Sequence, residues 1–413
     1  METLKFLFTS SFYPPYHIGG DAVHVSYLAE ELVKRGHEVH VFHSMDAYRI
    51  KRKTVEQQTE SPGIHVHTIR TALQLSAYAS YLLGDYPGVI RRFRSLLKEI
   101  KMDVVHHHNI SLLGYGILRK SGRYLNLYTA HDYWLFCQLG NLFKFGKYVC
   151  EKRDCFACSV MTGRPRQIWR NLPMFNTAAR GIDAVIAPSS FMLQALRREF
   201  PSLSIEHIPN FAPHTDPDIF AGRGAETPYF IYVGILEKHK GLLPLLDCYA
   251  RWASHHSVGL KIVGTGRLAP QVRRFIDNSG MQDCIFTLGR LPTSSVRREV
   301  LGAIASILPS LWPENAPLSA LEALSMGTPV VASKSGGLPE IVEPVDTRLL
   351  FSWNGNDGLN RALEFALAHN STLRNRAKSV FGKLFSPERY INAYFGLVRG
   401  LYEQQGSKKA NTH

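Results

Sequence analysis

The sequence predicts an α/β protein built from two doubly wound domains. Three observations predict it. The chain has 413 residues, more than one ordinary hydrophobic core organises. A strand, glycine loop, helix, strand unit opens the chain, and a second α/β run starts near YFIYVG. Residues 309 to 341, PSLWPENAPLSALEALSMGTPVVASKSGGLPEI, then set a loop, helix, strand, loop and helix around Glu314 and Glu322.

LKFLFTS reads as the first strand and SFYPPYHIGGDA as the loop after it. Val23 to Arg35 has helical amphipathic spacing and is closed by Gly36; HEVHVFH is the next strand. The Gly19-Gly20 pair lets backbone approach a ligand at the helix start. Residues 48 to 62 read as a polar surface loop, IHVHTIR as a strand, and 73 to 100 as helical with a basic patch at Arg91, Arg92 and Arg94. MDVVHHHN is a strand running into a loop. Neighbouring strand residues point to opposite faces, so His106, His107 and His108 cannot all converge on one metal; one of them lining the cleft is the expectation.

In LNLYTAHDYWLFC a strand ends near Thr129, placing His131 and Asp132 at its carboxyl end, where open α/β sheets bind ligands. Cys137, Cys150, Cys155 and Cys158 follow with C-x12-C-x4-C-x2-C spacing. A structural zinc site is one reading, disulfides or unpaired thiols are the others. GRPRQIWRNLPMF, from 163 to 175, mixes arginine with large apolar residues. It suits either a membrane interface or an insertion packed into the domain. IDAVIAPSSFMLQALRREF is a strand and helix with Ser189 and Ser190 as capping residues. SIEHIPNFAPHTDPDIF reads as the linker, and its Asp216-Pro-Asp218 as a turn.

The second domain runs YFIYVG, ILEKHKG with a helix, LKIVGTGR with Gly264 and Gly266 in its loop, CIFTLGRLP ending in Arg290, and AIASILPS. In the stretch that follows, Glu314 lies on the loop feeding a helix. Pro317 suits that helix's first turn, Leu318, Leu321 and Leu324 recur at helical spacing, and Gly327 ends it. Free amides at the helix start form an anion site, and an acid on each side suits a sugar nucleotide. Taken alone, two glutamates are more often a solvated charged face. A helix is expected from about Pro387 to Tyr402.

The spacing decides between those readings. Glu314-x7-Glu322, then Glu322-Ala323-x-x-x-Gly327-x-Pro329-Val330, then Gly336-Gly337-x-x-Glu340 resembles retaining glycosyltransferase family 4, the glycosyl transferases group 1. The resemblance covers nearly the whole chain. It implies the GT-B fold, with two Rossmann-like domains facing across a cleft and closing over the donor. Residues 1–210 would bind the acceptor, with the cysteine-containing insertion at about 133–175. Residues 225–385 would bind the nucleotide-sugar, and 386–413 would form a C-terminal helix crossing back to the first domain. It implies an enzyme that moves a hexosyl group, with retention, from a nucleotide-diphospho-sugar to a glycan or lipid-linked acceptor in polysaccharide or glycolipid synthesis. Carried over residue by residue, Glu314, His131 and Lys240 are catalytic. Gly20, Gly234, Lys240, Gly264, Gly266, Arg290, Asn315, Ala316, Pro317, Leu318 and Glu322 bind donor, and Gly19 with Gly20 face acceptor and phosphates. No metal or other cofactor is implied for catalysis. One departure stands out: the family's G-R-L-x-x-x-K-G is here Gly234-Ile235-Leu236-Glu237-Lys238-His239-Lys240-Gly241, without the arginine. A catalytically inactive sugar-nucleotide-binding protein is the alternative that this departure suggests.

The net charge is +14, and it is uneven. Through Ile205 there are 26 Lys and Arg against 16 Asp and Glu; beyond it there are 22 against 18. The basic first half suits an anionic membrane surface or an acidic substrate, and no nucleic-acid signature accompanies it. No run of eighteen apolar residues occurs. The expectation is a cytoplasmic protein, or one peripheral at the inner face of the membrane.

Overall fold

The computed structural model describes residues 3–51, 62–215, 227–354 and 357–410. The chain divides into two compact units. One comprises 1–141, 154–210 and 390–413, the other 142–153 and 211–389.

The first unit holds a seven-stranded sheet made of β1 (Lys5–Ser10), β2 (Glu38–Ser44), β3 (Ile64–Ile69), β4 (Val104–His107), β5 (Leu125–Thr129) and two later strands. A short antiparallel hairpin, β6 (Phe143–Lys144) with β7 (Tyr148–Val149), interrupts the series, and its residues group with the second unit. The sheet is completed by β8 (Ala184–Ala187) and β9 (Ile205–His207), in the order β3-β2-β1-β4-β5-β8-β9. Every pairing in it is parallel. A central parallel strand is covered on both faces. Phe6, Leu7 and Phe8 of β1 are accordingly all fully buried.

The helices of this unit are α1 (Gly20–Lys34), α2 (Met45–Lys51), α3 (Leu75–Leu83), α4 (Pro87–Glu99), α5 (Cys155–Met161), α6 (Pro173–Ala179) and α7 (Ser190–Glu199). The C-terminal helix, Pro387–Ala410, packs Tyr394 and Phe395 on Phe6 and donates the Tyr402 hydroxyl to the Asp103 carbonyl at 3.0 Å.

The second unit holds β10 (Tyr229–Val233), β11 (Gly259–Val263), β12 (Ile285–Gly289), β13 (Ser306–Leu308), β14 (Val330–Ser333) and β15 (Leu350–Phe351), in the order β12-β11-β10-β13-β14-β15, again all parallel. Its helices are α8 (Leu242–Ala253), α9 (Ala269–Ser279), α10 (Thr293–Gly302), α11 (Leu318–Ser325), α12 (Leu338–Val342), α13 (Gly358–Ala368) and α14 (Asn370–Val380). Each sheet reverses its winding once, between β1 and β4 and between β10 and β13. These are the topological switch points, where the carboxyl ends of strands leave a crevice.

Some local expectations change. The predicted helix over 73–100 is two helices. Gly84 at φ +81° ends the first, because a Cβ there would sit 2.5 Å from both Trp169 and Tyr115, and Pro87 opens the second. Residues 45–51 are helical where a loop is predicted from 48. Residues 205–207, read as linker, form the last strand of the first sheet. The 142–153 segment, assigned by sequence to the first domain, groups with the second unit. Asp216 and Asp218 lie outside the described residues. Ser189 does cap α7, accepting from the Met192 amide at 3.1 Å.

Candidate active site

In the second unit the switch point brings together the loop after β10 and the loop after β13. Gly241, at φ +72°, lets them meet: a Cβ there would lie 1.8 Å from the Pro309 carbonyl oxygen. The Leu311 amide donates to the His239 carbonyl at 2.8 Å and fixes the register. Lys240 is thereby aimed at Glu314, with Nζ 2.7 Å from Oε1 and 5.1 Å from the Trp312 ring centre. The Ser310 hydroxyl donates to the same carboxylate oxygen. Ser310 and Trp312 are held in turn by Ser333 and Ser335, whose hydroxyls each donate to their carbonyls at 2.7 Å.

Glu314 is 4% exposed. Burial pushes its carboxyl pKa up, but the Lys240 ammonium and hydrogen bonds from Lys240, Ser310 and Trp312 outweigh burial and hold it below the usual range. It is a carboxylate at neutral pH. His239 goes the other way: burial first, then Lys240, depresses it to about 4, so its imidazole is neutral. The glycine pair after Ser335 clasps Glu314 from behind. Gly336 has φ +63°, a Cβ there would fall 2.0 Å from the Glu314 carbonyl oxygen, and the Gly337 amide donates to that oxygen at 2.7 Å.

Beyond Glu314, Asn315 and Leu318 are buried and Ala316, Pro317 and Glu322 half-buried. Pro317 is the cap of α11 and not its first helical residue. No side chain caps the helix, and the Ala320 amide turns back to the Pro317 carbonyl at 3.1 Å. Gly264, at φ +136°, and Gly266 would place a Cβ 1.9 and 2.4 Å from the carbonyl oxygens of Gly234 and Leu236, so these two loops pack backbone on backbone. Arg290 is exposed just past Gly289 at the end of β12.

In the first unit α1 begins at Gly20, three residues earlier than its periodicity suggests, and Gly19 caps it at φ +91°. The Asn109 side-chain amide donates to Asp21 at 2.6 Å, tying the helix start to the end of β4. Strand alternation sorts the three histidines. His107 faces Thr9, 2.7 Å from its hydroxyl, while His106 and His108 share the other face with ring centres 4.1 Å apart. His131 joins that second face: its Nε2 is 2.9 Å from His108 Nδ1, and its ring centre is 5.1 Å from that of His24 on α1. Burial depresses His131 to about 3 and His24, His106 and His108 well below 6.5, so all four are neutral imidazoles. Burial, helped by the Asp21 carboxylate, raises the Asp132 carboxyl to about 7 against the Trp134 amide and Arg170, which lower it.

Two family models match this chain. Glycosyltransferase Family 4 matches residues 18–215, and Glycosyl transferases group 1 matches residues 218–380. The chain belongs to glycosyltransferase family 4. The transferase is 25% identical to the MMP alpha-(1->4)-mannosyltransferase of Mycolicibacterium hassiacum, over 79% of this chain and 80% of the relative. Its fold is GT-B. It superposes on a sucrose-phosphate synthase of Thermosynechococcus elongatus with TM-score 0.73 at 19% identity, covering 98% of this chain and all of that one. The catalytic domain of starch synthase IV from Arabidopsis thaliana, bound to ADP and acarbose, gives TM-score 0.66 at 15% identity over 97% and 99% of the chains.

Several residues of the transferase's sites escape sequence reasoning: Ser310 and Trp312 around Glu314, and His24, Asn109 and Asp21 around the first helix start. His24 alone carries a signal, four positions after Gly20 on the inward face of α1. At the position of the family's arginine, Ile235 is 42% exposed. Besides Lys238 and Lys240 of that loop, Arg267 stands near it, its Nε 3.8 Å from Glu237. The four-cysteine zinc reading gains nothing from the geometry. Among the described residues no group of three or more His, Cys, Asp or Glu is disposed to hold a metal ion. On α5 Cys158 is buried and Cys155, three residues earlier, is exposed.

Proposed function

We propose that this glycosyltransferase moves a hexosyl group from a nucleotide-diphospho-sugar to a glycan or lipid-linked acceptor, with retention at the anomeric carbon. The observation that carries the reading is the pair of the half-buried Lys240 and the buried Glu314 at the switch point of the second sheet, at 2.7 Å. An ammonium held by one carboxylate oxygen still has two N–H donors to offer a leaving diphosphate. The amides at the start of α11 add partial positive charge for the same oxygens. Glu322 accepts from the ribose hydroxyls. Arg290 borders the base, and Glu314 faces the sugar. In the reaction the anomeric carbon–phosphate oxygen bond breaks and a bond to the acceptor oxygen forms on the same face. The acceptor proton passes to the departing phosphate. From the first unit, Gly19, Gly20 and the neutral His131 are read as acceptor and sugar contacts. The starch synthase bound to ADP supports a nucleotide donor, and the basic first half of the chain supports a membrane-proximal acceptor at the cytoplasmic face.

A panel of UDP-, GDP- and ADP-sugars in a thermal-shift assay identifies the donor, because a ligand that binds the folded state raises apparent stability. Glu322→Ala should abolish that shift. Glu314→Ala and Lys240→Ala should each lower turnover at least about a hundredfold with the fold retained; near-normal rates in both would reject the site. A second reading, a sugar-nucleotide-binding protein without catalysis, is favoured by Ile235. Transfer or slow hydrolysis of any donor would dismiss it.

A further inference from the structure

α3 is inside out. Its inward residues, Ser76, Ala77 and Ser80, are fully buried, while Leu75, Tyr78, Leu82 and Leu83 are 53, 49, 44 and 69% exposed. α5 repeats the inversion. Cys158 and Ser159 face inward, and Phe156, Val160 and Met161 are 60, 68 and 57% exposed. A surface helix in water turns its large apolar residues to the core. Eleven of the fifteen large hydrophobic side chains exposed among the described residues lie within 73–83 and 156–174. Scattered singly they would mean little, but contiguous apolar surface marks an interface.

These segments are one surface of the first unit. The Trp169 indole N–H donates to the Tyr81 carbonyl at 3.1 Å, joining α3 to the turn Ile168–Asn171, where Ile168 is 63% exposed. That turn is reached from α5 through residues 164–167. There the Arg164 amide donates to the Ser159 carbonyl at 3.0 Å, and the Arg166 guanidinium lies 5.1 Å from the Phe156 ring centre. The packed side of the same segment is a cluster of Trp134, Trp169 and Phe175 closed by Arg170. The apolar residues of 163–175 therefore divide between a packed side and an open one.

Basic residues outnumber acids around this surface. Residues 155–180 hold four arginines and no acid. α4, which follows α3 directly, lines a groove with Arg91, Arg94 and Lys98 beside Pro87, Ile90 and the single acid Asp85. Apolar side chains with interspersed arginines match the boundary between acyl chains and anionic headgroups. A second copy of the chain would set arginines against arginines, which opposes pairing.

We propose that this surface seats the first unit on an anionic lipid bilayer, with the residues of α3, α5 and the Ile168 turn in the acyl boundary and the arginines on lipid phosphates. It sharpens the membrane-proximal acceptor reading and does not depend on the donor assignment.

The test is co-sedimentation of the full chain with vesicles of phosphatidylcholine alone and of phosphatidylcholine with equal phosphatidylglycerol, at low and high salt. The chain should pellet with the anionic vesicles at low salt. Leu82→Ser/Leu83→Ser/Ile168→Ser and, separately, Arg164→Glu/Arg166→Glu should each cut the bound fraction about tenfold or more. Thermal unfolding and the donor-induced shift should stay unchanged. No binding by the wild type, or undiminished binding by both variants, overturns the proposal. So does a dimer in light scattering that the apolar variant dissociates, since the surface is then a contact between copies. Loss of the donor shift with vesicle binding intact would instead remove the donor reading and leave this one standing.

Discussion

At the scale of single residues, the Lys240–Glu314 pair is both the best-placed chemistry and a structural commitment. Removing Lys240 leaves the buried Glu314 carboxylate without its counter-charge, at a cost of about 3 kcal/mol, and removing the charge of Glu314 costs less because Lys240 is half-buried. Lys240→Met and Glu314→Gln should each lower the urea midpoint. The double variant should regain part of that loss while remaining inactive, and a strictly additive double variant would show that the pair is not coupled. The buried histidines predict the pH dependence of stability. His107 stays neutral in the folded chain down to about 3, mainly through burial, whereas an unfolded chain protonates histidine near 6.5. Its contribution is therefore complete above about pH 6.5 and is lost as pH falls toward 3. Asp132, raised to about 7, works in the opposite sense, its cost setting in as pH rises past the range of an ordinary aspartate. His107→Asn should make the plot of unfolding free energy against pH between 4 and 6.5 shallower by about one proton. An unchanged slope would place the acid sensitivity elsewhere. Neither the pairing of Lys240 with Glu314 nor the burial of His107 follows from adjacency, since 74 residues separate the first two.

At the scale of elements, the site depends on loops that only glycine permits. Gly336 and Gly146 have nearly the same φ, +63° and +67°, but a Cβ at Gly336 meets Glu314 at 2.0 Å and one at Gly146 meets nothing within 4 Å. Gly146→Ala should cost about 1 kcal/mol, the left-handed conformation alone. Gly336→Ala should cost at least twice that and weaken the donor-induced thermal shift, because Glu314 must move. Equal midpoints for the two variants would remove the argument from close approach. Much at this scale was legible: the Leu318, Leu321, Leu324 period of α11 is buried as read, and Gly327 stands just past its end. The break in the 73–100 helix was not. Gly84 is compelled there by Trp169, 85 residues away, and local periodicity carries no trace of such a contact. The inversion of α3 was hidden for a related reason. Helical spacing gives the faces of a helix and leaves open which face the fold covers.

At the scale of the whole molecule, the last helix completes the first unit's core. Tyr394 is fully buried, with its hydroxyl 3.1 Å from His106 Nδ1, and Phe395 meets the ring of Phe6. A chain ending at residue 386 should lose several kcal/mol of stability through the exposure of β1 and His106. Circular dichroism and urea titration measure that loss, and a truncated chain with an unchanged midpoint would show the helix to be dispensable. The sequence by itself determined the family and the two α/β halves, because strand, glycine loop and helix alternate locally and the Glu314-to-Glu340 spacing is a linear pattern. Which loop meets which was decided by the strand order of the two sheets. Winding outward in both directions from β1 and from β10 brings loops from distant parts of the chain to the same strand ends. That is why Lys240 faces Glu314, why His131 lies against His108, and why α3 and α5 present their leucines and phenylalanine outward. Each depends on residues far apart in the chain, and no local spacing records it.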